Sequence, residues 1–213
     1  METQPALHAM PALLRRRASS AGKKALEVAY RCLGDNTQDI PIIFASRHGE
    51  CQRSVDLLID QVQKNPISPT AFSLSTHNAT SGLFSIARQD HENSLAIAAG
   101  QSTIEHAVIE ACGLLADGES AVLLIAHDNA LPEIFNDYQD CNEQDFAWAW
   151  LIQSPQRNQN SIISLSWSAN KTPEKKQQTA GIEIAEFFVD KNSVLERNCD
   201  NQQWRWSHVT PEN

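Results

Sequence analysis

Residues 93–126 read NSLAIAAGQSTIEHAVIEACGLLADGESAVLLIA, and this stretch decides the fold. Residues 95–99 are a short apolar run with the character of a buried strand. Gly100-Gln101 is a turn. Ser102 stands three residues before Glu105, the spacing of a capping box that closes the first turn of a helix. Ile104, Ala107, Val108, Ala111 and Leu115 recur at helical spacing and form one apolar face. Asp117-Gly118 stops that helix, and residues 121–126 are a second buried strand. The two strands are best placed parallel, because a helical crossover returns the chain to the same end of a sheet. The turn then meets the N-terminus of the helix, where backbone N–H groups have no intrahelical partner and point outward. Its tip is a glutamine, which is uncharged, does not titrate and is a poor nucleophile. On periodicity alone it is a packing turn.

Working outward from this unit, the 213 residues suit one domain with room for a sizeable core. Hydrophobic residues make up 41% and charged residues 20%, the balance of an ordinary globular chain. The formal net charge of −9 argues against nucleic acid or an anionic membrane as partner, since both need concentrated positive charge. The five cysteines are irregularly spaced and form no CxxC, so neither a zinc site nor a disulfide framework is expected, and a reducing cytosol fits. No apolar run approaches the roughly 20 residues of a membrane-spanning helix, and residues 1–10 lack the apolar core of a signal peptide.

Residues 1–10 carry no pattern and read as a loose arm. Residues 11–33 are helical, with Leu14, Ala18, Ala21, Ala25 and Ala29 on one face and Gly34 as terminator. A polar turn at 35–39 leads to a buried strand at 40–45 and the loop Ser46-Arg47-His48-Gly49-Glu50. Residues 51–64 form a helix with Val55, Leu58, Ile59 and Val62 inward, ended by Asn65-Pro66. A second helix ends near Arg88, with Ala79, Leu83, Ile86 and Ala87 on its inner face. Beyond Ala126 comes a long polar connection, then strands at 146–152 and 162–167, expected to be antiparallel neighbours. A Lys-rich loop spans 169–178, Ile182, Ala185, Glu186 and Val189 mark a short helix, and Trp204-Arg205-Trp206 marks a last strand. The expected fold is α/β, a mixed sheet of about five strands with helices on both faces.

Arg47-His48-Gly49-Glu50 follows a buried strand and resembles the signature of the histidine phosphatase family, in which a histidine at a strand end accepts a phosphoryl group. Arg47 and Arg53 could neutralise the phosphate. In that family the motif stands almost at the start of the chain; here a long helix precedes it and no second histidine motif follows, so this is the alternative reading. Cys51 could be a thiol nucleophile but has no assigned base and reads as a partly exposed structural cysteine. Cys112 reads as core. Ser75, His77 and Asp90 can be posed as a triad, as can such a set in any chain of this size. His127-Asp128 lies at a strand end, where α/β sheets open their crevices, although a loop-packing role is the simpler expectation.

The segment SPTAFSLSTHNATSGLFSIARQDHENSLAIAAGQSTIEHAVIEACGLLADGESAVLLIAHD, residues 68–128, resembles the N-terminal half of a β-ketoacyl synthase. Its pieces are Asn78 followed by small residues and Gly82, then Ser85-Ile86, the polar turn with Asn93, the apolar strand, the helix from Thr103 and the closing Asp/Gly turn and strand. Upstream, PALLRRRASSAGKKALEVAY is similar to the helix that begins synthase domains. With the RHGE loop and the DNALPE segment, the resemblance is to chain-length-factor-type proteins that accompany synthases in aryl-polyene and polyketide pathways. It implies a thiolase-like half-fold, with residues 11–213 as a β-ketoacyl synthase-like N-terminal domain.

In an active synthase the residue after this strand is the cysteine that takes the acyl chain. A register built back from the helix puts that position at Gln101, and counting forward from Asn93 puts it at Gly100; glutamine there is what related chain-length factors carry. Neither residue can form a thioester. The second half that would supply two active-site histidines does not follow, and the first strand of the fold is missing, which leaves open whether Met1 is the true start. The resemblance therefore implies a non-catalytic cytoplasmic subunit with no cofactor or metal. Its partner would be a full-length β-ketoacyl-[acyl carrier protein] synthase, with acyl carrier protein met through the complex. The strand Ser94, Leu95, Ala96, Ile97, Ala98 and Ala99 would lie at the interface, because synthase dimers pair the strand before the nucleophile with its copy.

Overall fold

The structure is a computed structural model and describes residues 7–34, 39–156, 162–170, 178–191 and 194–209. The expected polar turn at 35–39 and the Lys-rich loop at 169–178 fall largely outside these residues. Strands β1 (Ile42–Ala45), β2 (Ser94–Ile97), β3 (Val122–Asp128) and β4 (Phe146–Ile152) form one sheet in the order β2-β1-β3-β4. β1 is parallel to both β2 and β3, and β4 is antiparallel to β3, so the sheet is mixed as expected. β1 and β3 are buried along their whole length, which is why both read as continuous apolar runs.

Alternate residues of these strands serve opposite faces. Ile42, Phe44, Leu123 and Ile125 pack under helices α2 (Ser20–Leu33) and α5 (Ala79–Arg88). Ile43, Val122, Leu124 and Ala126 pack under α6 (Thr103–Ala116) and α7 (Ala180–Val189). The helices on both faces are thus those the sequence implied. The first helix is in two pieces: α1 (Ala12–Arg15) ends early, and Ser19 starts α2 by accepting from the Gly22 amide at 3.0 Å. Leu7 and Met10, in the stretch expected to be a loose arm, are buried in the core beneath α2.

Four expectations are corrected. α3 (Cys51–Val62), followed by the short α4 (Pro69–Ser73), buries Val55 but leaves Leu58, Ile59 and Val62 exposed, because it projects from the sheet end. On α5, Phe84 turns inward and Ile86 outward. The strands at 146–152 and 162–167 are not neighbours. β5 (Ile162–Ala169) pairs instead with β7 (Gln202–Val209), and β6 (Val194–Cys199) completes a second sheet ordered β5-β7-β6. Trp204 and Trp206 of β7 are fully buried, and the cost of exposing two indoles explains why β7 is the central strand. Where β4 and β5 were expected to meet lies a cavity of about 860 Å³ walled by α6, β4 and β5 and lined by Ile109, Trp150, Ile163 and Trp167. Cys112 also lines it, so that cysteine is exposed rather than core.

Candidate functional site

The turn between β2 and α6 is a single 3₁₀ turn, Gly100–Ser102. Gly100 has φ +58°, a left-handed conformation that suits glycine. The Thr103 hydroxyl donates to the Gly100 carbonyl at 2.8 Å and accepts from the Ala99 amide at 2.9 Å, which locks the turn from within. The capping box does not form. Ser102 caps nothing with its side chain, and Glu105 is wholly buried. Glu105 instead takes a charge-assisted hydrogen bond from Arg197 of β6. A buried carboxylate needs a cation more than it needs a backbone amide, so the ion pair outranks the local cap.

Arg197 is 2% exposed. It donates to Glu183 of α7 at 2.8 Å and to the Gln101 carbonyl at 3.5 Å. Burial opposes its charge, but Glu105 and Glu183 outweigh burial and hold its pKa above the ordinary arginine value. Three residues further on, at the tip of the β6–β7 hairpin, Asp200 accepts from the Ser102 amide at 3.2 Å and from the Ser102 hydroxyl at 2.6 Å. The expectation of outward-facing, unpartnered amides at this helix end is corrected to that extent: the Ser102 amide is shared between the Ala99 carbonyl, at 3.2 Å, and a carboxylate from the second sheet.

On the other side, Asp140 receives two bonds from Arg47 at 2.8 and 3.0 Å, and the Gln101 side chain lies near enough to its carboxylate to stabilise the charge. Burial raises the Asp140 pKa, but Arg47 and Gln101 outweigh burial and hold the carboxyl below its usual range. The structure therefore joins residues distant in sequence, Gln101 and the RHGE loop, through Asp140. The residues expected at an interface, Ser94 to Ala99, fall on β2 and just after it, at an edge of the first sheet that is unpaired among the described residues.

Asp128, at the end of β3, holds the RHGE loop. It accepts from the Ser46 hydroxyl at 2.7 Å and from the amides of Arg47 and His48 at 2.9 and 3.1 Å. Gly49 has φ +53°, and a Cβ there would come within 2.7 Å of the His77 ring. His48 faces Glu143 at 3.1 Å, and Arg53 is drawn to Glu50 and the Arg17 carbonyl. Both arginines that would neutralise a phosphate are thus committed to carboxylates. Asp140, Cys141 and Glu143 offer donor atoms within 4.8 Å of one another, but Arg47 sits on Asp140 and Cys141 and would repel a cation. Burial, with Glu143 nearby, pushes the Cys51 thiol up, the wrong direction for a nucleophile. Ser75, His77 and Asp90 are not assembled: Ser75 bonds to the Phe72 carbonyl, His77 to the Ser46 carbonyl, and Asp90 pairs with Arg88.

Arg197 and Asp200 are the site residues that sequence reading missed. Arg197 belongs to a strand with only weak alternation and Asp200 to the turn after it, and nothing in their spacing ties them to residues 101–105.

A mixed sheet whose parallel edge strand enters a glycine turn at the head of α6 is the arrangement to be compared with known proteins. The family model for the β-ketoacyl synthase N-terminal domain matches residues 1–207. The chain belongs to that family. Its fold is similar to that of a ketosynthase (ApeO) in complex with its chain length factor (ApeC) from Xenorhabdus doucetiae: 24% identity, TM-score 0.83, covering 97% of this chain and 83% of that one. It also resembles the ishigamide ketosynthase/chain length factor (13% identity, TM-score 0.64, 77% of this chain and 52% of that one). A β-ketoacyl synthase from Burkholderia phymatum STM815 matches at 10% identity and TM-score 0.58, over 91% of this chain and 58% of that one. Comparison with curated proteins gives no match. The fold is thus the thiolase-like half-fold that the sequence implied.

Proposed function

We propose that this chain is a non-catalytic, chain-length-factor-like subunit that pairs with a full-length β-ketoacyl-[acyl carrier protein] synthase and shapes the pocket for the growing acyl chain. The observation that carries this reading is Gln101. It stands in the turn that family resemblance equates with the nucleophile position, is buried, and lies beside Asp140. An amide cannot accept an acyl group as a thioester, so the synthase would supply the cysteine and the histidines. Support for the partner comes from β2, whose outer edge is unpaired among the described residues, and from the solved ketosynthase that is accompanied by a chain length factor. The apolar cavity beside α6 supports a role in housing acyl chain. Acyl carrier protein would be met through the complex, and the setting would be fatty acid, aryl-polyene or polyketide synthesis in the cytoplasm. No described helix is long and apolar enough to cross a membrane.

The test is co-expression with a full-length synthase followed by size-exclusion chromatography. Co-elution in a one-to-one complex is expected; separate elution of two folded proteins would refute the pairing.

A further inference from the structure

We propose that Asp200 takes the place of a bound anion at the N-terminus of α6, so that the turn is closed to thioester chemistry whatever residue stands at position 101. The free amides of a helix N-terminus carry about half a positive charge, which lowers the pKa of a thiol placed there and stabilises an oxyanion. Here a carboxylate already occupies that end. Asp200 takes the hydroxyl of Ser102 and shares the Ser102 amide with the Ala99 carbonyl, and a Cβ on Gly100 would lie 3.3 Å from its Oδ1. The hairpin tip that presents it is a two-residue turn. Asp200 and Asn201 both take left-handed φ, 54° and 60°, and the Asn201 carbonyl accepts from the Asn170 amide at 2.8 Å. Arg197, in the strand that leads to the tip, anchors the hairpin to Glu105 and Glu183.

The charges around residue 101 sum the same way. Arg47 pairs with Asp140 and Arg197 with Glu105 and Glu183, and Asp200 on Ser102 is a fourth carboxylate against these two cations, with the Cys141 thiol beside Arg47. Restoring a cysteine would place its thiolate among excess negative charge. The proposal rests on equating this turn with the nucleophile turn, but it does not depend on the synthase partner.

Two variants test it: Gln101→Cys, and Gln101→Cys with Asp200→Asn. Asparagine keeps an acceptor for Ser102 and removes the charge. The rate of iodoacetamide alkylation at residue 101 is followed against pH by peptide mass spectrometry, which separates it from the five natural cysteines. In the single variant the thiol should titrate no lower than an ordinary cysteine, about 8.5. With Asp200→Asn it should fall by about one pH unit or more. A thiol below the ordinary value in the single variant, or no fall on removing the charge, overturns the proposal. Circular dichroism checks folding, and Asp200→Ser provides the comparison if the asparagine variant does not fold. Failure of co-elution with a synthase would refute the partner and leave this titration unchanged.

Discussion

At the scale of single residues, Arg197 has the largest consequence. Replacing it with methionine leaves Glu105 buried with Trp206 Nε1, at 3.4 Å, as its remaining hydrogen-bond donor. Breaking one half of a buried pair costs about 3–5 kcal/mol. Urea unfolding of Arg197→Met should show a loss of that size, and the double variant Arg197→Met/Glu105→Leu should recover most of it. A loss below about 1 kcal/mol would mean that the pair is solvated. His127 predicts a pH dependence. It is buried in β3 against Phe44, and burial, partly offset by Asp128 and Glu50, lowers its pKa. A histidine whose folded pKa is lowered takes up protons preferentially when unfolded. Its contribution is complete above the unfolded value of about 6.5 and is lost as pH falls from there through the lowered folded pKa. The urea midpoint should therefore drop between pH 7 and 5, and the drop should be shallower in His127→Leu. Equal slopes would remove His127 from the account.

At the scale of elements, β2 is where a partner can be tested. The Ile42 amide bonds to the Asn93 carbonyl and the Ser46 amide to the Ile97 carbonyl. In a parallel ladder this alternation turns the backbone groups of residues 93, 95 and 97 toward β1, and those of Ser94, Ala96 and Ala98 toward the free edge. Leu95 and Ile97 also pack their side chains on the core beneath α6, so a charge at Ile97 would disturb this chain's own interior. Ala96→Pro is the cleaner probe, because it removes one outward N–H and leaves the β1 ladder intact. It should abolish co-elution with the synthase while the circular dichroism spectrum stays unchanged. A folded Ala96→Pro chain that still co-elutes would place the interface elsewhere. An apolar edge strand left uncovered is an aggregation hazard, which gives the edge a physical reason to be paired.

At the scale of the whole molecule, two sheets meet across α6, and the hairpin of the second sheet holds the turn at the head of that helix. Arg197 and Asp200 on one side and Asp140 with Arg47 on the other fix Gly100, Gln101 and Ser102 in place. The chain alone, mixed with an acyl-carrier-protein thioester, should show no mass increase by intact mass spectrometry. A stable acyl adduct on any residue would contradict a non-catalytic role. The four-residue β2 is too short to make a stable interface by itself, since standard complexes bury about 1,600 Å² in total, so a complex with a synthase must draw on further surface.

Much of this protein was legible along the chain because its signals are local. Apolar runs set β1 and β3, a 3.6-residue period set α6, and Gly34 and Asp117-Gly118 set where helices stop. The absence of a thiol at Gly100-Gln101 is likewise written in the residues themselves. Tertiary structure alone decided what surrounds that turn. Glu105 looks like half of a capping box until Arg197, far along the chain, offers it a countercharge in a buried place, and desolvation then outweighs a local hydrogen bond. Strands β4 and β5 look like hairpin neighbours until the burial of Trp204 and Trp206 draws β5 to β7. Leu58, Ile59 and Val62 have helical spacing, but spacing does not say whether a helix lies over the sheet or projects beyond it. Sequence patterning determines which face of an element is apolar; which partner covers that face, and which charge meets which, depends on contacts between residues far apart in the chain.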